Sequence, residues 1–267
     1  MRKNKTKTNS ILGLIILSAS VSGCFSFNES TESQSRMVMF VGMDISGSFV
    51  RSKYFNDSIR FLSRYLYAHL NGIGDLKTPD ELFVGSIGGS KPNEPKTFFP
   101  IQTFENKSIA EIEKQLKKIF PRKTQNPFTD YNAFFYQISE TVKNRNLILR
   151  PISVVMISDG MPDFPKSSGR KNMDRNFKKL DLSPLEQLTR DMTIRVLYTA
   201  DAVVGMGWQS KVPRRRVKVW TQDAPVMVTW KDPKIYQNNK PFKKQTRFFE
   251  WIRENVDFRV RSRRVGK

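Results

Sequence analysis

The stretch MVMFVGMDISGS, residues 37–48, decides the fold that we predict for this chain. Its first seven residues form a continuous apolar run, which is typical of a strand buried on both faces of a parallel sheet. The run leads into three alternating polar residues, Asp44, Ser46 and Ser48. Alternate residues of an extended segment share one side, so we expect this carboxylate and the two hydroxyls to face the same way.

Strand and helix patterns alternate after this first segment. Apolar runs predict strands, and apolar residues three and four positions apart predict helices between them. The predicted strands cover residues 82–87, 96–104, 152–157 and 193–200, and the predicted helices cover 55–70, 109–119, 134–142 and 182–190. Pro100 would confine its strand to an edge of the sheet. This alternation predicts an α/β fold, a doubly wound and mostly parallel sheet flanked by helices.

Patterns are weaker from about residue 201 onward. Short strands are predicted at 217–220 and 226–230, joined as a hairpin across Asp223-Ala224-Pro225, and a final helix is predicted around 248–252. We find no internal repeat and no sign of a second domain.

Three short segments carry oxygen ligands that would suit one metal ion. Besides the end of the first strand, Asp159 follows the strongest apolar run, and Thr129 precedes the helix at 134–142. In doubly wound sheets, the loops at the carboxyl ends of strands line the ligand crevice where the strand order reverses. If the two strands are neighbours there, all five residues meet. An all-oxygen set suits a hard cation such as Mg²⁺ or Mn²⁺.

This pattern resembles the von Willebrand factor type A domain and its metal-ion-dependent adhesion site, over about residues 37–200. The motif of that family is Asp-x-Ser-x-Ser, then a Thr, then an Asp after a later strand. The resemblance implies that Ser46, Ser48 and Thr129 contact the metal. It implies further that Asp44 and Asp159 contact it directly or through water, and that an acidic group of a protein partner completes the coordination.

Each motif also has a plainer interpretation. Asp-x-Ser-x-Ser is compatible with a helix-capping loop, and Ser-Asp-Gly with an ordinary turn. Asn-Pro-Phe precedes Thr129, where many members of the resembled family have glycines. We interpret the neighbouring Asp130 as a charge at the amino end of a helix.

The amino end resembles the signal peptide of a bacterial lipoprotein. Four basic residues precede the apolar run ILGLIILSASVSG, which is too short to span a membrane, and Val-Ser-Gly-Cys follows the lipobox pattern. We therefore expect a signal peptide at residues 1–23, lipidation of Cys24, and a polar tether at 24–36 before a domain at 37–267. The alternative is an ordinary secretory signal with a chance Cys. The resemblance implies a lipid-anchored protein of the cell envelope; Phe25, where an Asp often signals inner-membrane retention, points to the outer membrane of a cell with two membranes.

The charge is strongly and unevenly basic. Lys and Arg outnumber Asp and Glu by 46 to 25, for a net charge of +21, and residues 211–267 alone carry +12. Such clustering attracts polyanions such as anionic lipid head groups, although it is also compatible with a merely solvated surface. Nucleic acid is not an expected partner of an exported lipoprotein. The densest candidates for polyanion binding are Arg214, Arg215, Arg216, Lys218, Arg261, Arg263 and Arg264.

The composition argues against an enzyme. With one His and one Cys, the chain forms neither a Cys/His zinc cluster nor an internal disulfide, and His69, which we expect to be structural, is the only usual base for a Ser nucleophile. No Gly-x-Ser-x-Gly motif occurs. We expect a non-enzymatic protein that binds a protein partner through a divalent cation. The alternative is a metal-independent electrostatic binder of anionic envelope components.

Overall fold

The computed structural model describes residues 37–89, 94, 97–122, 129–164, 167 and 170–257. The predicted signal peptide, Cys24, the tether and the basic residues Arg261, Arg263 and Arg264 lie outside these ranges. Within them, no helix has both the length and the apolar character needed to cross a membrane.

The described part of the chain forms an α/β fold around one six-stranded sheet. The strands are β1 (Val38–Asp44), β2 (Glu81–Ile87), β3 (Phe99–Pro100), β4 (Ile152–Ile157), β5 (Met192–Thr199) and β6 (Lys218–Asp223). They lie in the order β3-β2-β1-β4-β5-β6, and only β3 is antiparallel to its neighbour. The predicted fold class is therefore confirmed, as is the position of the Pro100 strand at an edge.

Helices cover both faces of the sheet because successive strand residues point to opposite sides. Met39 and Val41 of β1 join one core with the helices before β2 and near the carboxyl end, whereas Val38 and Phe40 join a second core on the other face. The helices are α1 (Gly47–Arg51), α2 (Phe55–Leu70), α3 (Ile109–Ile119), α4 (Tyr131–Asn144), α5 (Met173–Phe177), α6 (Ser183–Glu186), α7 (Ala202–Ser210), α8 (Ala224–Met227) and α9 (Thr246–Asn255).

Because all strands except β3 are parallel, their carboxyl ends lie together on one side of the sheet, which we call the carboxyl edge. Their amino ends lie together on the opposite side, which we call the amino edge. Asp44 pairs with Ile87, and Ile157 with Leu197, so these residues mark the carboxyl edge. At the opposite, amino edge, Val38 pairs with Glu81 and with Ile152, the first residues of β2 and β4. β1 connects onward to β2 on one side and has β4 on its other side, so the strand order reverses between β1 and β4. Ligand sites of doubly wound sheets lie at the carboxyl edge of such a reversal.

Two predictions near the carboxyl end of the chain are wrong. The hairpin does not form, because β6 is followed by α8 and a 3₁₀ turn at Val228–Lys231 rather than by a strand. Pro225 lies in the first turn of α8, where its missing N–H costs nothing. The helix predicted at 182–190 is also shorter, and only Ser183–Glu186 is helical.

Helix α7 has no counterpart among the predictions. Two glycines obscure its apolar pattern, and one of them is required by packing: a Cβ added to Gly207 would lie 2.1 Å from the Phe177 ring. The neighbouring Trp208 is fully buried in the core beside it. Glycine, usually a poor helix former, is thus used here for the close approach of α7 to α5.

A polar network ties the end of α9 to α2 and β5. Asp257 accepts hydrogen bonds from the hydroxyl of Tyr65 at 2.8 Å, and its second oxygen lies 3.2 Å from Nε2 of His69. Arg195 Nε lies 3.4 Å from the same carboxylate. Nδ1 of His69 contacts the carbonyl of Lys77 at 2.7 Å. His69 therefore has both ring nitrogens engaged in the framework, in agreement with a structural role.

Candidate metal centre at the carboxyl edge

Asp44, the last residue of β1, is held by two hydrogen bonds. It is fully buried, its Oδ1 accepts from the backbone N–H of Ser46 at 2.8 Å, and its Oδ2 accepts from the hydroxyl of Ser158 at 2.6 Å. A buried carboxylate needs such donors because it has lost its hydration. The Ser46 contact is a tight Asx turn that leads the chain from β1 into α1.

Asp159 approaches the same place from the end of β4. Its Oδ2 accepts from the hydroxyl of Ser48 at 2.9 Å, and its Oδ1 accepts from the N–H of Met161 at 3.1 Å. The hydroxyls of Ser46 and Ser48 lie 3.1 Å apart. Asp44, Ser46, Ser48 and Asp159 thus form one hydrogen-bonded group, which we call the carboxyl-edge cluster.

Ser158 and Tyr131 support this cluster, and neither was assigned a role from the sequence. The Tyr131 hydroxyl lies 2.6 Å from Ser158 Oγ, which also accepts from the N–H of Gly160 at 3.0 Å. Because the single hydroxyl proton of Ser158 is donated to Asp44, Tyr131 must donate to Ser158. Tyr131 thus donates to Ser158 and Ser158 donates to Asp44, which connects the start of α4 to the ends of β4 and β1.

Thr129 lies two residues before Tyr131, at the entrance to α4. It is 2% exposed, and among the described residues its Oγ1 has no hydrogen-bond partner. It therefore makes no hydrogen bond to the other four predicted ligands. Leaving a buried hydroxyl without a partner costs about 1–3 kcal/mol. Next to it, Asp130 caps α4 by accepting from the N–H of Ala133 at 3.0 Å, as predicted.

Burial and neighbouring negative charge disfavour ionisation of both carboxylates. Burial, and secondarily the charge of Asp159, raise the pKa of Asp44 to about 7, against the hydrogen bonds from Ser158 and Ser46. Burial also raises the pKa of Asp159. Ionising both groups without a counter-charge is therefore unfavourable, and a cation between them would relieve this cost.

The donor set fits a hard divalent cation. Among the described residues, no three His, Cys, Asp or Glu side chains are grouped to hold a metal, and the carboxyl-edge cluster itself contains two carboxylates and two hydroxyls. Hydroxyl and carboxylate oxygens are ligands suited to Mg²⁺ and Mn²⁺. The hydroxyl of Thr129 is a further oxygen that has no hydrogen-bond partner within the described ranges.

Four of the predicted basic residues are described and lie at the amino edge: Arg214, Arg215 and Arg216 precede β6, and Lys218 is its first residue. The guanidinium of Arg214 donates to the carbonyls of Trp208 and Gln209 and so caps the end of α7. The backbone N–H groups of Arg215 and Arg216 donate to Glu186, whereas their side chains, like that of Lys218, are exposed. Arg214 therefore has a structural contact that its neighbours lack among the described residues.

Comparison with known proteins adds distant similarities of fold. No family model matches the chain, and no curated protein matches it. Among solved structures, proximal thread matrix protein 1 of the mussel byssus is similar with a TM-score of 0.43 at 13% identity, over 74% of this chain and 46% of that one. The pilus adhesin SpaC of Lactobacillus rhamnosus GG has a TM-score of 0.44 at 13% identity, over 73% and 29%.

The manganese-loaded TRAP protein of Plasmodium vivax is also similar, with a TM-score of 0.41 at 16% identity, over 75% of this chain and 73% of that one. This chain thus spans less than half the length of the byssus protein and of the adhesin. The fold assignment rests on the strand order and register of the chain itself.

Proposed function

We propose that the carboxyl-edge cluster, with Thr129, binds Mg²⁺ or Mn²⁺ and through it an acidic group of a protein partner. The observation that carries the proposal is the meeting of Asp44, Ser46, Ser48 and Asp159 in one hydrogen-bonded group at the reversal of strand order. The resemblance to the von Willebrand factor type A domain supports the same assignment.

Each residue would have a distinct task. Hydroxyls that donate their proton to a carboxylate, as Ser48 does to Asp159, still present oxygen lone pairs to a cation. Asp44 and Asp159 would supply the negative charge, and Thr129 would contribute an oxygen that now has no partner among the described residues. When bound, the cation would act as the electrostatic link to a carboxylate of the partner.

The number of side chains leaves room for that partner. Mg²⁺ demands a near-octahedral shell of six oxygens and usually keeps several waters. The five proposed residues do not fill such a shell, and Ser48 is exposed at the surface. A carboxylate from outside would therefore replace water on the exposed side, which makes binding depend on both the metal and an acidic ligand.

The proposal places this domain on a bacterial envelope through an acylated Cys24. The support is the lipobox-like Val-Ser-Gly-Cys and the polar residues 24–36 that follow. One acyl chain holds a protein only marginally on a membrane, whereas several hold it firmly. Fractionation of cells that express Cys24→Ala tests the anchor: release of the protein from membranes is expected, and retention in washed membranes would refute it.

The direct test of the cation site is calorimetric titration of the protein with Mg²⁺ and Mn²⁺. Wild type should bind, Asp44→Asn should lose binding, and Asp191→Asn, which makes the same charge change at the exposed amino edge, should not. Pull-downs from native envelopes in Mg²⁺ and then in EDTA extend the test to the partner. Absence of binding even with an acidic peptide present would contradict the proposal.

An electrostatic function without metal is the alternative, carried by the exposed Arg215, Arg216 and Lys218. It predicts binding to anionic envelope components that persists in EDTA and weakens with salt. Charge reversal at Arg215 and Arg216 is the suitable variant, because reversal at Arg214 would also remove the cap of α7.

A further inference from the structure

The loop between α4 and β4 exposes two large apolar side chains at the amino edge. Ile148 is 47% exposed and Leu149 is 81% exposed, the highest value among the exposed large hydrophobic residues of the described ranges. Leu147, immediately before them, is only 3% exposed and belongs to the core. The loop therefore has one apolar residue turned inward and two turned outward.

The backbone holds this loop in a defined conformation. The N–H of Leu149 donates to the carbonyl of Leu188 at 2.9 Å, and the N–H of Leu147 donates to the carbonyl of Val142 at 2.9 Å. Leu149 has φ of 70°, in the left-handed region that leucine rarely adopts. A strained conformation that exposes a leucine is kept by neighbouring contacts, which makes it an observation that calls for a functional hypothesis.

Exposed arginines lie close to the apolar pair along the chain and across its backbone hydrogen bonds, together with the exposed Asp191 and the Arg150–Asp80 ion pair. Arg145 is exposed at the end of α4. Arg190 is exposed in the segment from Leu188 to Asp191, which is hydrogen-bonded along residues 149–152. Glu186, just before that segment, accepts hydrogen bonds from the backbone N–H groups of Arg215 and Arg216. These two arginines, whose side chains are exposed, therefore lie next to Glu186. We call Arg145, Ile148, Leu149, Arg190, Arg215 and Arg216 the basic–apolar surface.

The same edge is where the chain enters the sheet. The N–H of Val38, at the start of β1, donates to the carbonyl of Pro151 at 2.9 Å. The predicted tether, residues 24–36, therefore leads to Val38, which is hydrogen-bonded to Pro151, two residues after Leu149. A lipid-anchored protein would thus have this edge within reach of its own membrane.

We infer that the basic–apolar surface docks on a lipid bilayer that contains anionic head groups. Ile148 and Leu149 would enter the boundary between head groups and acyl chains, and the arginines would contact lipid phosphates. Two protruding apolar side chains form too small an apolar area for a stable protein interface, which buries about 800 Å² on each partner. They do suit a bilayer interface. This inference concerns the edge opposite the cation site and does not depend on it.

The test uses the chain from residue 24 onward with Cys24→Ala, which carries no acyl group and keeps every element of the sheet and both cores. It should sediment with vesicles of phosphatidylcholine and phosphatidylglycerol, but not with phosphatidylcholine alone, and high salt should weaken the binding. Leu149→Asn should lower vesicle affinity about tenfold or more, since a buried leucine contributes strongly and asparagine tolerates the left-handed conformation.

Val203→Asn is the matched control. Val203 is another exposed apolar residue, at 50%, but it lies in the first turn of α7, which begins at the carboxyl edge. Its replacement should leave vesicle binding unchanged. Charge reversal of Arg215 and Arg216 together should reduce binding, and thermal melts should show that all variants remain folded.

Insertion is read out directly by a fluorophore. Because Cys24 is the only native cysteine, Leu149→Cys in the Cys24→Ala background provides a single labelling site. An environment-sensitive dye at residue 149 should shift to the blue with anionic vesicles, whereas the same dye at Val203→Cys should not.

Three results would each overturn the inference. These are no binding to anionic vesicles, equal binding by wild type and Leu149→Asn, and a dimer that Leu149→Asn dissolves while no vesicle binding occurs. None of these experiments involves Mg²⁺ or EDTA. A negative result with vesicles would therefore not contradict the cation proposal, and a negative calorimetric titration would not contradict the docking inference.

Discussion

Ser158 donates its hydroxyl proton to Oδ2 of Asp44 at 2.6 Å, which joins the end of β4 to the end of β1. The residue next to Ser158 is Asp159, the second carboxylate of the cluster. The two residues that directly follow β4 therefore position both carboxylates: Asp159 supplies one itself, and Ser158 holds Asp44 through its hydroxyl. Tyr131 behind Ser158 brings α4, and with it Thr129, to the same place.

Replacement of Ser158 should destabilise the protein, because Asp44 and Tyr131 would each lose a buried partner. We expect Ser158→Ala to lower the free energy of unfolding by about 1–3 kcal/mol and also to weaken Mg²⁺ binding. Urea denaturation and calorimetric titration measure the two effects. Ser48→Ala, at an exposed hydroxyl, should weaken Mg²⁺ binding with little loss of stability. Equal stability losses for the two variants would contradict this assignment.

Thr129 offers a test in which stability and affinity move in opposite directions. In metal-free protein, Thr129→Val removes a buried hydroxyl that lacks a partner among the described residues, so stability should be unchanged or higher. With Mg²⁺ present, the same variant should bind the cation more weakly, and Thr129→Ser should keep the affinity. Unfolding curves with and without Mg²⁺ give both quantities. Unaltered affinity in Thr129→Val would exclude Thr129 as a ligand.

Mg²⁺ should raise the melting temperature of wild type, because it binds the folded state alone. At a free concentration one hundred times the dissociation constant, the gain is about 2.7 kcal/mol. Asp159→Asn should abolish the shift, and Asp191→Asn should preserve it. The measurement is a thermal melt across a Mg²⁺ series, and a shift of similar size in Asp159→Asn would place the cation elsewhere.

The network around Asp257 should control stability in acid. Burial by itself would raise the pKa of Asp257, but the hydrogen bond and charge of His69 and the charge of Arg195 outweigh it, so the pKa lies below its ordinary value. The resulting stabilisation is fully present above the unfolded-state pKa of about 3.9 and is lost as the pH falls through the lower folded-state value.

Asp257→Asn should therefore destabilise the protein at pH 7 by about 1.5–3 kcal/mol, the usual contribution of hydrogen bonds to a charged group. It should also flatten the fall in stability below about pH 4. Urea unfolding at several pH values measures both effects. A variant that keeps the wild-type pH profile would show that another group dominates it.

The strands that carry the carboxyl-edge cluster could be predicted because their residues are apolar without interruption. The runs in β1 and β4 admit few other structures, and polar residues at their ends mark the carboxyl edge. The secondary structure of the segment at 226–230 could not be predicted from its apolar residues, since a run of five residues fits a strand or a buried helical turn. Pro225 was the available signal for the helical alternative.

Contacts between distant elements could not be predicted in this way. Ser158 stands in the quoted Ser-Asp-Gly, but its bond to Asp44 depends on the register of β1 with β4, which no local pattern specifies. Tyr131 is indistinguishable by sequence from any other aromatic residue of an amphipathic helix. Gly207 shows its purpose only beside Phe177, which lies 30 positions earlier in the chain.

Strand β1 has a mechanical consequence under the proposed function. Its amino end follows the predicted tether, and Asp44, the first residue of the cluster, is its carboxyl end. If a membrane held Cys24 while a partner pulled on the cation, tension would pass lengthwise through the covalent backbone of this one strand. Asp159 would pass part of the force to β4, and this part would load the parallel ladder between β1 and β4 lengthwise. That ladder would then resist by shear of all its hydrogen bonds together, instead of by peeling one hydrogen bond after another.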